Sequence, residues 1–182
     1  MNNVFILALD ERAEKNSTIV KTVVWELETL FSMIPDDTQF QEKLKKLYPG
    51  GTCYAWCLWN NSTDRLAASD AMEAGDLLLC YRNRSILSAT FILLKTCNPS
   101  LTARMWGRLP EESPERICFT SKPHEGEVSV VPQMYRYFDE AYAGIMKLRD
   151  NNVRAILADY GSLETFVHLC LKYDFPFSLR HS

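Results

Sequence analysis

The sequence predicts an α+β fold, a small curved mixed β-sheet or partial barrel with flanking helices. The front of the chain has the apolar period of about 3.6 residues that is typical of helices. Beyond Gly51, short apolar runs alternate with turns, as in strands. The chain has 182 residues, 47% of them hydrophobic, which suits one domain with its own core. Helices before and after a group of strands favour the α+β class.

Two helices are expected in the front part. Apolar side chains recur at helical spacing over Thr18–Ile34, and a shorter amphipathic stretch covers Thr38–Leu47. The breakers Pro49–Gly51 follow. We therefore predict a helical N-terminal extension at residues 1–49 and a compact domain at residues 50–182.

The compact domain is expected to hold short strands with helices between them. The runs that favour strands are Thr52–Trp59, Asp76–Tyr81, Ser85–Leu94, Ile117–Thr120 and Glu127–Val131. Arg82-Asn83-Arg84 is predicted to close a hairpin, because Asn suits a tight turn. Helices are predicted over Asn98–Gly107, Phe138–Leu148 and Leu163–Leu171. Val153–Leu157 fits a strand or a helix.

Composition limits the class of protein. No apolar run approaches the roughly 20 residues that a membrane-spanning helix needs. The N-terminus lacks the pattern of a signal peptide, so a cytoplasmic location is expected. The six cysteines are then thiols. Only Cys53 and Cys57 are close, at a spacing that does not suit zinc, and no metal or cofactor is expected.

The charge is distributed unevenly. The net charge is −3, yet no acidic residue lies between Asp76 and Glu111. The basic residues of this segment are Arg82, Arg84, Lys95, Arg104 and Arg108. This pattern predicts a surface that binds phosphates, and chance clustering on a solvated face is the alternative.

Motifs of enzymes are missing from the sequence. It has no phosphate-binding loop, dinucleotide fingerprint, nucleophile elbow or zinc-protease helix. A pair such as Cys118 with His124 is the remaining catalytic alternative. We therefore predict a protein that is not an enzyme.

Aromatic side chains accompany the basic segment. Trp59 is followed by the polar residues Asn60 and Ser62, Tyr81 precedes the hairpin turn, and Trp106 ends a predicted helix. Flat side chains framed by cations are typical of sites that stack an unpaired base. Core packing is the alternative for each, and it is the role predicted for Trp56, on the face opposite Trp59.

These segments together resemble a known family. They are Gly51–Trp59, Ala74–Tyr81, the hairpin through Lys95, Met105–Gly107 and Arg116–Phe119. Over roughly Gly51–Leu148 the chain resembles the EVE branch of the PUA-like superfamily. It is similar to the EVE-like or YTH-like N-terminal domains of McrB-type, modification-dependent restriction systems.

The resemblance implies a reader of methylated double-stranded DNA that extrudes 5-methylcytosine or 6-methyladenine into an aromatic pocket. It places Trp59, Asn60 and Ser62 at the pocket edge, Trp106 at a second wall and Tyr81 at a third. The five basic residues would hold the backbone. A GTP-hydrolysing motor and a nuclease are the implied partners, as a C-terminal extension or a separate subunit.

The sequence departs from the fuller YTH pattern at the end of the first strand. Leu58-Trp59 stands where that pattern has Lys-Ser, so the resemblance does not fix the members of the cage. Two alternatives remain open. One is an RNA reader of the same superfamily, and the other is a protein-interaction module that uses the helix Thr18–Ile34.

Overall fold

The computed structural model describes residues 2–9, 23–57, 67–68, 70–107, 116–138 and 142–173. These residues form a mixed α+β structure, which confirms the predicted fold class at that level. The strands are β1 (Val4–Ala8), β2 (Val23–Glu26), β3 (Thr52–Cys57), β4 (Leu77–Arg82), β5 (Ser85–Cys97), β6 (Arg116–Thr120), β7 (His124–Ser129) and β8 (Ile145–Lys147). The α-helices are α1 (Leu27–Met33), α2 (Thr38–Leu47), α3 (Pro99–Trp106), α4 (Asp150–Tyr160) and α5 (Leu163–Leu169).

The chain divides into two compact units. The first unit comprises Met1–Leu9, Leu77–Thr90 and His124–Ser182, and the second comprises Asp10–Asp76 and Phe91–Pro123. Strand β5 supplies residues to both units. Each unit therefore combines segments that are distant in sequence.

The first unit is built on a mixed sheet. Strand β1 runs parallel to β4 and antiparallel to β8, and β5 pairs antiparallel with β7. The apolar run of β1 is buried almost completely, as expected for a central strand. Phe138 and Phe166 add large buried side chains to this unit.

The second unit has an antiparallel sheet in the order β2-β3-β6-β5. Because side chains alternate along a strand, Ala55 and Phe119 lie on one face and Trp56 and Cys118 on the other. The first face joins an apolar cluster with buried residues of α1, α2 and α3. Trp56 is buried, as its predicted core role requires.

The prediction for the N-terminal part is wrong in two places. Val23–Glu26 is strand β2, whereas a helix was expected over Thr18–Ile34, and the helix begins only at Leu27. The β-branched and aromatic side chains of β2 suit pairing with β3. Val4–Ala8 is also a strand, so the front part is not solely helical. Residues 18–22 lie outside the described ranges, and the division at residue 49 stays a prediction.

The prediction of a helix over Phe138–Leu148 is wrong, since none of the residues that the structure describes in that range is helical. Ile145–Lys147 is strand β8, which pairs with β1. Gly144 precedes it with a φ of 63°, a left-handed conformation that interrupts a helix. Val153–Leu157, left open above, lies within helix α4.

Several local predictions are confirmed. Helix α2 has the expected bounds, and β3, β5 and β6 fall where strands were predicted. The Asn98 side chain caps α3 by accepting from the Leu101 N–H at 2.8 Å, and Gly107 ends the helix with a φ of 64°. Of the helices described, none is long and apolar enough to cross a membrane.

Candidate nucleic-acid interface

The hairpin turn holds Arg84 in a fixed position. Asn83 and Arg84 have φ values of 49° and 62°, the left-handed pair of a two-residue turn that matches the twist of β4 and β5. The Val130 N–H donates to the Arg84 carbonyl at 2.7 Å. The segment after β7 is thereby fastened to the turn, while the Arg84 side chain stays exposed.

An exposed tyrosine lies next to this turn. The short 3-10 helix Pro132–Met134 is anchored by buried Met134 and leads to Tyr135, whose side chain is 43% exposed. The guanidinium carbon of Arg84 lies 5.9 Å from the centroid of the Tyr135 ring. Val131, which directly precedes the 3-10 helix, is also exposed. We call Arg84, Val131 and Tyr135 the turn platform.

The other candidates of the first unit lie deeper. Tyr81 is only 5% exposed and packs edge-on against Tyr142, with 5.0 Å between ring centroids. Its carbonyl accepts from the Leu9 N–H at 2.8 Å. Tyr81 is therefore part of the packed interior, and Arg82 is half-buried at the end of β4.

In the second unit, two candidate cations have structural partners. Lys95 Nζ donates to the Asp70 carbonyl at 2.8 Å. The Arg104 guanidinium donates to the Met33 carbonyl, joining α3 to the end of α1. Both residues thus stabilise local structure, whatever else they contact.

The structure describes only some of the aromatic residues that were predicted to form the walls of the base pocket. Trp106 is half-buried and packs against the apolar cluster of the second unit. The candidates outside the described residues are Trp59, Asn60, Ser62 and Arg108.

The structure places the candidates in two groups. Tyr81, Arg82 and Arg84 share the β4–β5 hairpin, whereas Lys95, Arg104 and Trp106 belong to the second unit. Sequence reasoning missed Tyr135, which lies beyond the acid-free segment. The signal that could have found it is Tyr135-Arg136-Tyr137, two aromatic residues flanking a cation.

The buried thiols are poor nucleophiles. Burial raises the pKa of Cys53 to about 11 and that of Cys118 to about 12. Both are therefore protonated at neutral pH, and a thiol reacts as its thiolate. Within the described ranges, His, Cys, Asp and Glu form no group of three or more that could hold a metal ion.

Comparison with known proteins assigns the chain to no family. No protein-family model matches the chain, and no curated protein gives a significant match. The resemblance to the EVE branch and to McrB-type domains stays a prediction.

Proposed function

We propose that this protein, without being an enzyme, binds nucleic acid through the turn platform. One observation carries the proposal: exposed Arg84 stands over the exposed ring of Tyr135, on a turn fixed by two left-handed residues. A flat ring beside a cation can stack a base and hold its phosphate. Because the backbone of the turn is fixed, little ordering is needed when the ligand binds.

The expected energetics are those of stacking plus charge neutralisation. A base stacked on one aromatic ring contributes about 1–3 kcal/mol. Arg84, with Arg82 two residues earlier, would replace counterions on the phosphates, so affinity should fall as salt rises. The net charge of −3 opposes a general attraction between the whole protein and nucleic acid. Binding through a local basic surface is therefore favoured over binding driven by the overall charge.

The finer proposal is recognition of a methylated base, 5-methylcytosine or 6-methyladenine, extruded from duplex DNA. The sequence resemblance supports it, and with it a role in targeting a restriction system with a motor and a nuclease. A buried methyl group contributes about 0.8 kcal/mol. That is less than a tenfold preference, so discrimination would also need hydrogen bonds to the base.

An RNA reader is the second candidate, favoured by the exposure of Tyr135. An unpaired base can stack on an accessible ring directly, whereas a base in a duplex must first leave its stack.

Fluorescence anisotropy with labelled oligonucleotides tests the proposal. The ligands are a duplex with one methylated base, the same duplex without it, and single-stranded RNA, each from about 50 to about 200 mM salt. Arg84→Glu should weaken binding to all of them. Lys43→Glu is the matched control, because it makes the same charge change on an exposed position of α2 in the other unit.

Equal affinity of Arg84→Glu and Lys43→Glu would contradict the proposal. A preference for the methylated duplex would support the finer function, and a preference for RNA would support the second candidate.

A further inference from the structure

Strand β2 forms an edge of the sheet in the second unit. Among the strands that the structure describes, it pairs with β3 alone. An edge strand presents backbone N–H and C=O groups to which another strand can hydrogen-bond. The direction in which each residue of β2 points these groups therefore decides what the edge can bind.

The pairing with β3 determines those directions. The Leu27 N–H donates to the Gly51 carbonyl at 2.8 Å, and Trp25 faces Cys53 in the same register. In an antiparallel pair, residues that hydrogen-bond to the neighbouring strand alternate with residues that do not. Trp25 therefore directs its N–H and C=O toward β3, whereas Val24 directs both of its groups away from β3.

The side chain of Val24 is also accessible. It is 57% exposed, the largest exposure of any large apolar side chain in the described ranges. Trp25 points to the other face of the sheet and packs against the apolar cluster of the second unit. Trp25 thus anchors the strand, while Val24 offers two backbone groups and an apolar side chain at its open edge.

The other described strands at sheet edges, β7 and β8, have features that oppose further pairing. Strand β7 has an irregular register against β5 and exposes Glu125 and Glu127. Strand β8 has three residues, one of them exposed Lys147. Bulges, very short strands and charges protect edges against association. In β2 the register with β3 is regular, and its one charged residue, Glu26, lies at the end of the strand.

The residues of β2 are complementary to a second copy of the same strand. When two copies run antiparallel about a two-fold axis at Val24, each Val24 exchanges two backbone hydrogen bonds with its counterpart. Trp25 of each copy then faces Val23 of the other. An aromatic residue opposite a β-branched one is a favourable cross-strand pair. Every pair from Val23 to Trp25 is therefore apolar.

The position of the one charge favours the same register. An axis at Val24 separates Glu26 from its counterpart by four residues along the strand, about 14 Å. That distance exceeds the screening length of about 8 Å at physiological ionic strength. An axis at Glu26 would place two carboxylates directly opposite each other, which is destabilising. The Glu26 carbonyl is also at the N-cap of α1, where it accepts the first bond of the helix.

We propose that β2 is a dimerisation edge, at which two copies of this chain pair antiparallel with Val24 opposite Val24. The proposal does not depend on the turn platform, which belongs to the first unit. Because the paired segment is short, the interface is small and the dimer is expected to be weak. It should therefore form only as the protein concentration rises.

Sedimentation equilibrium over a series of protein concentrations tests the proposal. The apparent mass of the wild-type chain should rise from that of a monomer toward that of a dimer. Val24→Lys should abolish this rise, because two like charges would face each other across the axis. Leu169→Lys is the matched control, since it makes the same change at a side chain that is 49% exposed on α5 of the first unit. It should dimerise as the wild type does.

Cross-linking through an introduced cysteine tests the register. The background is Cys97→Ser, which removes the exposed cysteine. Val24→Cys should form an intermolecular disulfide under mild oxidation, because Cα atoms of a hydrogen-bonded pair are about 5.5 Å apart. Glu26→Cys should not, because its counterpart would be about 14 Å away.

Three outcomes would overturn the proposal. A wild-type chain that stays monomeric at every concentration would show that β2 does not pair with a second copy. Equal dimerisation of the wild type and Val24→Lys would place the contact between copies elsewhere. Cross-linking of Glu26→Cys that equals or exceeds that of Val24→Cys would exclude the register. If Val24→Lys fails to fold, the comparison of the two cysteine variants decides.

Discussion

Tyr135 and Tyr137 are two residues apart, and each has an arginine over its ring. Arg84 lies 5.9 Å from the Tyr135 centroid, and Arg136 lies 5.3 Å from the Tyr137 centroid. Their burial is opposite: Tyr135 is 43% exposed and Tyr137 only 4%. The same pair of residue types thus forms part of a surface in one case and of the core in the other.

The partners of the two rings explain the difference. The Tyr137 hydroxyl donates to the Asp159 carboxylate, and the ring packs edge-on against Tyr160 and Phe166, with centroids 6.0 Å away in both cases. Burial and these polar contacts raise the pKa of Tyr137 above its ordinary value. A cation over an aromatic ring is therefore no sign of a binding surface until the other face of the ring is known to be exposed.

The largest effect is expected from Tyr137→Ala. Removing a buried aromatic ring costs about 3–5 kcal/mol of unfolding free energy, and the change also leaves the Asp159 carboxylate without this donor. Urea denaturation followed by circular dichroism would measure it. Tyr137→Phe keeps the ring and loses only the hydrogen bond, so its cost should be smaller, about 1.5–3 kcal/mol for a bond to a charged group.

A Tyr137→Ala protein as stable as wild type would show that the cluster around Phe166 does not depend on this ring. That result would also remove the contrast with Tyr135.

The next effect is on binding. Tyr135→Ala should change the unfolding free energy by no more than about 0.5 kcal/mol, because the side chain lies at the surface. It should reduce nucleic-acid affinity by about 1–3 kcal/mol, the contribution of one stacked base. Fluorescence anisotropy and thermal denaturation of the same sample measure both. Full affinity in the folded variant would show that Tyr135 does not stack a base.

The elements that the sequence predicts well are those with local signals. Asn98 with Pro99 marks the start of α3, and Gly107 marks its end. Asn83 favours the left-handed turn conformation that the hairpin needs. In each case the deciding interactions lie within a few residues of chain, where a single sequence is informative.

The elements that the sequence missed depend on distant partners. Val23–Glu26 continues the apolar pattern of the helix after it, and pairing with β3 makes it a strand. Ile145–Lys147 is a strand because β1, from the opposite end of the chain, pairs with it. Neither partner can be inferred from the local pattern.

The candidate interface was predicted in part for the same reason. Arg84 stands out because the acid-free segment is visible in the sequence. Tyr135 does not, since it lies far from Arg84 in the sequence and meets it only in the folded protein. Tyr81, chosen for its position before the turn, is buried by packing that the sequence leaves unspecified.

A smaller effect is expected from Arg84→Gln, which removes the charge and keeps much of the side-chain length. If Arg84 contacts one phosphate, the slope of log affinity against log salt should become shallower by about 1. Stability should be nearly unchanged, because the left-handed backbone of the turn does not depend on the charge. Titrations at four salt concentrations measure the slope, and an unchanged slope would place the phosphate contacts elsewhere.

The smallest effect is expected from Arg136→Ala, the counterpart of Arg84 on the buried ring. Arg136 Nη2 lies 3.1 Å from Asp159 Oδ2, but its side chain is 57% exposed. Water and salt screen such a pair, and an exposed cation over a ring adds little, so the loss of stability should be about 0.5–1 kcal/mol. The difference from wild type should shrink in concentrated salt. Arg136→Lys keeps the charge and should recover part of the loss.

Because Arg136 is held at Asp159 whereas Arg84 lies over an exposed ring, nucleic-acid affinity should fall far less in Arg136→Ala than in the Arg84 variants. A larger fall for Arg136→Ala would move the proposed contact surface from Tyr135 toward the Asp159 side of the first unit.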